Sequence, residues 1–322
     1  STPAAGSRQT LLYRSPRKSR SGEGQAKGTA LEHKNAWLAY DEPQLAELEK
    51  LATDYIDFIS TNKTERECVT EAVKKLDAAG FTPFEYGKKY ATGDKFYLNN
   101  RGKALYAVVM GKKSLEDGLS IAAGHIDSPR IDLKQNPLYE EGGMAFFKTH
   151  YYGGIKKYQW VTLPLALHGV VVKKDGTVIT VNVGEDKNDP VFCVTDLLIH
   201  LAGEQMEKKA NKVIEGENLD VLVGSKPLEG KEKDAVKEGI LEILKEKYDM
   251  TEEDFMSAEI EVVPAGHARE AGLDHSMVMS YGQDDRVCAY TSLAAMLEIG
   301  QTERTACCIL VDKEEIGSVG AT

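Results

Sequence analysis

The stretch Ala123-Gly124-His125-Ile126-Asp127-Ser128-Pro129-Arg130 follows directly on the hydrophobic run 119–123, which predicts a buried strand. Residues two apart in an extended chain point to the same face, so His125 and Asp127 would stand together where this strand ends. An imidazole that binds a metal commonly needs a nearby carboxylate to fix its tautomer or its ring. Taken alone, the tripeptide is explained at least as well by a solvated histidine and aspartate at a strand end.

Two later stretches favour the metal site over the solvated strand end, because they also place carboxylates beside apolar segments. They are Gly282-Gln283-Asp284-Asp285-Arg286 and Asp312-Lys313-Glu314-Glu315-Ile316-Gly317-Ser318. Charge beside apolar chain is costly without a partner. In open α/β sheets ligands bind beyond the carboxyl ends of strands, where His125, Asp127 and the Glu314-Glu315 pair would all lie.

Imidazole and carboxylates together suit zinc, cobalt or manganese, whereas a cysteine-rich site would be of the closed, structural type. Several carboxylates would allow two ions bridged by one aspartate, and such a site activates water and polarises a carbonyl. At a strand-to-loop corner, one of two adjacent glutamates can hold metal while the other faces the water as a base. An acidic loop is the alternative interpretation of Glu314-Glu315 on its own.

The composition is that of an ordinary globular chain, with 322 residues of which 42% are hydrophobic and 28% charged. This length suits two domains, or one large domain with an insertion. The formal charge of −11 argues against nucleic acid as the main partner. No apolar run reaches the roughly 18 residues of a membrane span, so we expect no membrane partner. The five cysteines include no CxxC pair and predict reduced thiols in the cytoplasm.

Residues 1–30 are rich in Ser, Gly, Arg and Lys and predict a disordered or processed tail. Residues 31–132 and 265–322 have the helix and strand pattern of an α/β layer, which we expect to be the catalytic domain. Apolar periodicity and capping residues predict helices over 43–59, from Thr64 to Gly80 and over 286–299. Strands are predicted over 95–98, 104–110, 119–123 and 305–311.

Residues 133–264 differ in pattern and predict an inserted β-rich domain. Asp175-Gly176 is the predicted turn of a hairpin over 168–181. Gly142-Gly143 and Gly153-Gly154 lack GxGxxG spacing and predict turns. Further strands are predicted over 219–223 and 258–263, and helices over 195–210 and 232–248. The predicted fold is therefore a mixed α/β sheet flanked by helices, with an inserted β-rich domain.

The motifs 124–130, 282–286 and 312–318 resemble, in this order, three signatures of the aspartyl aminopeptidases, metallopeptidase family 18. Tyr151-Tyr152-Gly153-Gly154-Ile155 and Leu198-Ile199-His200-Leu201 resemble segments of that family's inserted domain. The resemblance covers about Lys34 to Thr322. Other two-metal zinc peptidases share His-x-Asp and Glu-Glu, so the specificity lies in the order of the three motifs with an insertion between the first two.

The resemblance implies residue roles. His125 would bind one metal and Asp127 would orient it from behind. Glu314 would be the general base and Glu315 a metal ligand. The bridging ligand is assigned to Asp284, because the helix pattern of Tyr290 and Leu293 then falls in register, and Asp285 is the competing choice.

The resemblance also implies partners and an expected gap. The site would bind two divalent ions, zinc in preference to cobalt or manganese, and would act on short peptides. The chain would form a homo-oligomer, typically a dodecamer, through the inserted domain. His200 resembles a histidine that reaches into a neighbouring subunit's active site, and a half-buried helix histidine is the alternative. The family pattern has a further carboxylate and a late histidine after Glu-Glu, for which no residue up to Thr322 is a candidate. A longer protein, or an incomplete metal site with an open sheet edge, is therefore expected.

The predicted function is release of N-terminal residues, acidic ones by the usual family preference, by a water that two metals activate. A related zinc hydrolase, such as a carboxypeptidase or deacylase, could use the same ligands. A non-catalytic oligomeric scaffold is the second alternative, against which the intact Glu314-Glu315 pair speaks.

Overall fold

The computed structural model describes residues 35–320, so the predicted tail 1–30 lies outside the described part of the chain. The helices are α1 (Glu42–Thr61), α2 (Glu65–Ala78), α3 (Gly203–Met206), α4 (Ala235–Tyr248) and α5 (Gln283–Glu298). Short 3-10 turns cover Ala36–Leu38, Leu115–Asp117, Lys157–Gln159, Ile199–Leu201, Gly216–Asn218 and Glu252–Ser257.

The strands form two large sheets and one small ribbon. They are β1 (Thr82–Pro83), β2 (Lys95–Asn100), β3 (Ala104–Val109), β4 (Ser120–His125), β5 (Arg130–Glu141), β6 (Met144–Tyr152), β7 (Leu165–Val172), β8 (Val178–Val183), β9 (Cys193–Val194), β10 (Val221–Gly224), β11 (Ala258–Pro264), β12 (Arg269–Ala271), β13 (Met277–Met279) and β14 (Ala306–Val311). The fold is mixed α/β with a β-rich insertion, as predicted.

The first sheet has the order β1-β2-β3-β14-β4 and is mixed. β14 runs antiparallel to β3 and parallel to β4, with Val311 paired to His125. This register places the chain that leaves β14 beside the end of β4. The predicted meeting of the first and third motifs is therefore a consequence of one parallel strand pair.

Three helices cover this sheet and bury its core. The capping box of Thr64 and Glu67 begins α2, as the sequence predicted. Gly80, just after the C-cap Ala79, has φ +80° and ends the helix, also as predicted. Large apolar side chains of α1, α2 and α5 meet those of the strands and are almost fully buried, among them Ile59, Leu76, Leu105, Leu293 and Leu310. Burying each such side chain contributes about 1.5–3 kcal/mol before the entropy of ordering is counted.

The second sheet has seven strands in the order β8-β7-β11-β5-β6-β10-β9, with α4 packed on it. The predicted turn at Gly142-Gly143 joins β5 to β6, and both glycines have positive φ. The predicted Asp175-Gly176 hairpin is also present as β7 and β8. Because β5 begins at Arg130 and β11 ends at Pro264, the two sheets use separate parts of the chain. The second sheet begins three residues before the predicted boundary at 133, and the division into domains stays a prediction.

The helix predicted over 195–210 is wrong. This segment holds only the 3-10 turn Ile199–Leu201 and the four-residue α3. Its apolar side chains are exposed, namely Leu197, Leu198, Ile199, Leu201 and Met206. A short helix gains most of its stability from packing an apolar face, and within this protomer the segment has little to pack against.

β4 is an edge strand among residues 35–320, because it pairs on one side only, with β14. The predicted strand is present as β4, but the prediction that it is buried is wrong: residues 119–123 are exposed, with Ile121 57% exposed, because only one edge of β4 is covered by another strand of the described chain. An exposed apolar edge strand can pair with other extended segments. Within the described residues, no helix combines the length and the apolar character needed to cross a membrane.

Candidate metal centre

The candidate site lies where β4, β14 and α5 come together. His125 is the last residue of β4, and its imidazole is 10% exposed. Glu314 and Glu315 follow β14 after Asp312 and Lys313, and Lys313 takes φ +69° as the chain turns. The structure thus brings together the His-x-Asp and Glu-Glu motifs that the sequence placed at strand ends.

The imidazole faces several carboxylates. His125 Nε2 lies 3.3 Å from Asp284 Oδ1 and 3.6 Å from Glu314 Oε2. One ligand atom each from His125, Glu314 and Glu315 lie within 4.8 Å of one another. The Glu314 side chain is 61% exposed and that of Asp284 82%, so the cluster opens to solvent on the side opposite His125.

Asp127 lies behind the imidazole, fully buried. The ring Nδ1 is 3.0 Å from the Asp127 carbonyl oxygen and 3.3 Å from its Oδ1. If Nδ1–H donates to Asp127, the Nε2 lone pair faces the cluster, which is the tautomer that a metal needs. The same carboxylate accepts hydrogen bonds from the backbone N–H groups of Glu314 and Glu315, at 3.3 and 3.2 Å.

Several carboxylates lie close together around His125, and their negative charge shifts the pKa values of the site. Burial lowers the pKa of His125, but the hydrogen bonds with Asp127 outweigh it and raise that pKa to about 9. Burial raises the pKa of Asp127, and its hydrogen bonds with His125 and Tyr152 outweigh this and lower it. The pKa of Glu315 is raised by burial and by the neighbouring carboxylates of Asp284, Asp127 and Glu314. The raised pKa values of His125 and Glu315 both reflect the carboxylates gathered here, whose negative charge a bound cation would offset.

The two aspartates of the second motif point differently. Asp284 and Asp285 have non-helical backbone angles at the start of α5 and are joined by a cis peptide bond, so regular helix begins at Arg286, as predicted. Asp284 turns its carboxylate to His125, and its carbonyl oxygen accepts a hydrogen bond from Ser128 Oγ at 3.2 Å. The Asp285 carboxylate is directed at Cys288 and at Gly124 of β4. This geometry favours Asp284 as the ligand.

Arg286 is a contributor that sequence reasoning did not identify. Its side chain is fully buried, Nε donates to the Ile126 carbonyl at 3.0 Å and Nη2 to that of Lys63 at 2.6 Å. Ile126 separates His125 from Asp127, so this guanidinium ties the first motif to the second and to the start of α2. The quoted motif contained Arg286, but no sequence signal told which carbonyls it binds.

Tyr152 and Gly153 were also missed, although the motif around them was quoted. The Tyr152 hydroxyl donates to Asp127 Oδ2 at 2.8 Å. Gly153 has φ +72°, and a Cβ there would lie 3.2 Å from Glu315 Cβ. No local pattern signals these contacts, because the partners lie 25 residues or more away in the chain.

His200 is not part of the cluster within this protomer. It lies on the 3-10 turn Ile199–Leu201 and is exposed. The alternative of a half-buried helix histidine is therefore wrong. A role in a neighbouring subunit's site stays a prediction.

The donor set fits a zinc-type ion. A neutral imidazole nitrogen and carboxylate oxygens are ordinary zinc ligands, and the Asp127 behind the histidine is the usual supporting group. A second acidic cluster, Glu65, Glu259 and Glu261, provides a contrast. There the Lys103 ammonium binds Glu65 and Glu259, and Arg130 lies 3.1 Å from Glu261, so this cluster already contains cationic side chains.

A family model described as aminopeptidase I zinc metalloprotease (M18) matches residues 58–322, and the chain belongs to this family. A Clostridium acetobutylicum protein described as probable M18 family aminopeptidase 1 is 60% identical over 296 residues, which are 90% of this chain and 64% of that protein.

Two crystal structures have the same fold. The chain matches aminopeptidase I of Clostridium acetobutylicum with a TM-score of 0.82 and 60% identity, over 90% of this chain and 64% of that one. It matches the M18 aminopeptidase of Thermotoga maritima with a TM-score of 0.85 and 48% identity, over 90% and 63%. The chain therefore spans a little under two thirds of the length of these relatives.

Proposed function

We propose that this protein is a zinc-dependent aminopeptidase that hydrolyses the N-terminal peptide bond of short peptides. The observation that carries the proposal is the convergence of His125 Nε2 with the carboxylates of Glu314, Glu315 and Asp284, with Asp127 buried behind the imidazole. Membership of the M18 family supports zinc as the metal.

His125, Asp284 and Glu315 would hold zinc, with Asp284 shared between two ions. Bound zinc would polarise the scissile carbonyl and favour ionisation of a water. Glu314 is the most exposed member of the His125-Glu314-Glu315 group and is free to take a proton from the attacking water. The same carboxyl then returns the proton to the leaving amine, so that an acid and a base role alternate on one side chain.

We further propose a preference for acidic N-terminal residues, which rests on the resemblance of the three motifs. The related zinc hydrolases remain the competing class, because a carboxypeptidase or deacylase could use the same ligands. A free-amine requirement separates them. An aminopeptidase leaves N-acetylated peptides intact, whereas a deacylase removes the acyl group.

The test is hydrolysis of aminoacyl nitroanilides with Asp, Glu, Leu or Lys, as free amines and as N-acetyl derivatives, before and after chelation. Zinc-dependent release from the free amines alone supports the proposal, and faster release from Asp and Glu supports the acidic preference. Hydrolysis of the N-acetyl compounds, or equal rates with and without metal, contradicts it.

The Glu314→Gln variant tests the base. It keeps the side-chain size and removes the proton acceptor, so we expect a loss of at least about 100-fold in kcat, with zinc content unchanged. Glu47→Gln, an exposed residue of α1, is the matched control and should hydrolyse at the parent rate. Parent activity in Glu314→Gln would refute the assignment.

We also propose that the chain forms a homo-oligomer through the inserted domain. The support is the exposed apolar segment around His200, defined by Leu197, Leu198, Ile199 and Leu201. Such a run is costly in water and is typical of an interface.

The five cysteines are all free, which supports a reducing compartment such as the cytoplasm.

A further inference from the structure

The β-rich domain reaches the candidate metal centre at the end of β6. We propose that Tyr152 is a positioning residue that fixes Asp127, and through it His125, so that zinc affinity depends on a hydroxyl supplied by the inserted domain. This inference rests on the proposed function, because it concerns the same metal centre.

The first support is the hydrogen-bond pattern of Asp127. Tyr152 is 7% exposed and donates to Oδ2 at 2.8 Å, the shortest of the hydrogen bonds to this carboxylate. Oδ2 also accepts from the Glu315 N–H, while Oδ1 lies 3.3 Å from His125 Nδ1 and accepts from the Glu314 N–H. The Asp127 carboxylate therefore holds the His125 imidazole and the backbone of Glu314 and Glu315 in a defined relative position. Tyr152, from the inserted domain, holds this carboxylate in place through its hydroxyl.

The second support is that the phenol is itself held firmly. The Arg130 guanidinium lies 3.9 Å from the centre of the Tyr152 ring, a cation–π contact away from water. Arg130 is 3% exposed, and its Nε donates to Asp132 at 2.8 Å and lies 3.1 Å from Glu261. Burial, and then the bond to Asp127, raise the pKa of Tyr152, so the phenol keeps the proton that it donates.

The third support is independent of the hydroxyl. Gly153 takes φ +72° directly after Tyr152, and its Cα faces Glu315 so closely that a Cβ would lie 3.2 Å from Glu315 Cβ. The same strand end therefore contacts both Asp127 and Glu315. A β-strand end is a rigid support, and outer hydrogen-bond partners of metal ligands commonly alter metal affinity 10–100-fold.

The experiment measures zinc affinity by competition with a chromophoric chelator. Tyr152→Phe removes one oxygen and should weaken zinc binding about 10-fold or more. Tyr139→Phe is the matched control, since Tyr139 lies in the same domain and its hydroxyl donates to Asp220 at 2.6 Å. We expect this control to bind zinc as the parent does, with a similar change in thermal midpoint.

A double-mutant cycle separates positioning from a general loss of stability. If Tyr152 acts through Asp127, Tyr152→Phe should have little further effect on zinc affinity in an Asp127→Asn background. Equal losses in both backgrounds would overturn that route.

A second variant covers the case in which Tyr152→Phe does not fold. Gly153→Ala keeps the phenol but presses a methyl group against Glu315, and it should also weaken zinc binding. Parent affinity in Tyr152→Phe overturns the inference while the proposed function stands. Where Tyr152→Phe does not fold, parent zinc affinity in Asp127→Asn overturns it, because Tyr152 is inferred to act only through Asp127. Parent affinity in Gly153→Ala overturns only the part that concerns Glu315. A parent chain that binds no zinc contradicts the metal centre itself.

Discussion

Asp127 shows how much of the centre a local pattern can indicate. The His-x-Asp spacing placed its carboxylate beside His125, and the structure has the two at 3.3 Å. Its partner Tyr152 could not be predicted, because a hydroxyl 25 residues away meets Asp127 only after two sheets have packed. Arg286 was missed for the same reason, since its acceptors are backbone carbonyls that the sequence does not distinguish.

Glu185 belongs to a buried ion cluster that joins the second sheet to the start of α2. Its Oε1 lies 3.0 Å from His168 Nε2 and binds the Lys63 ammonium, and the other nitrogen of His168 lies 2.8 Å from Glu67. Burial raises the pKa of Glu185, but the bonds from His168 and Lys63 outweigh it and lower that pKa from 4.5 to about 2. The charged carboxylate therefore stabilises the folded protein.

This shift predicts a dependence of stability on pH. A carboxyl whose folded pKa is depressed stabilises fully above its unfolded pKa and loses that contribution as pH falls toward the folded value. With an unfolded pKa of 4.5 and a folded pKa of about 2, the ionised Glu185 contributes about 3 kcal/mol to the free energy of unfolding at neutral pH. About 2 kcal/mol of this contribution is lost between pH 6 and 3. Urea unfolding of the parent and of Glu185→Gln should therefore converge as pH falls.

The control for this comparison is Glu47→Gln, which changes an exposed carboxylate of α1 and should follow the parent at every pH. A difference between the parent and Glu185→Gln that stays constant from pH 6 to 3 would mean that Glu185 is not held as an ion. His168 should act in the opposite direction, because its pKa is raised: its contribution is complete below about 6.5 and declines at higher pH.

Among the elements, the segment around Ile199 is where prediction and structure differ most. The pattern of α2 was readable because Thr64, Glu67 and Gly80 are local signals of a helix start and end. The apolar residues of 195–210 also suggested a helix, but Ile199 is 63% exposed and the segment forms short turns. Periodicity indicates that a face will be buried, not that it is buried within the same protomer.

The proposed oligomer gives this segment a testable role. Ile199→Asp places a charge in the exposed apolar run, and a buried unpaired charge is expensive at an interface. We expect light scattering coupled to size exclusion to show a lower mass than for the parent.

Leu273→Asp is the matched control, because Leu273 is fully exposed and lies outside that run, so its mass should equal the parent's. An Ile199→Asp variant with the parent's mass would show that the segment is not an interface between copies.

For the whole molecule, the fold class could be predicted from the sequence, and so could the meeting of the first and third motifs. That meeting follows from the register of one strand pair, β4 with β14. Val311 pairs with His125 in parallel strands, so whatever follows β14 must lie beside the histidine. The resemblance of the three motifs, in their order, predicted that they belong to one site. It could not show the packing of the second sheet against this site, where the Tyr152 hydroxyl meets Asp127.

We propose that zinc binds at His125, Asp284 and Glu315, with Glu314 beside it as the base. Anomalous diffraction at the zinc edge from crystals grown with zinc tests it most directly. We predict a peak about 2.0–2.1 Å from His125 Nε2 and about 2.0–2.2 Å from a Glu315 oxygen. A zinc peak only at the Glu65, Glu259 and Glu261 cluster, or none within bonding distance of His125, would contradict the account.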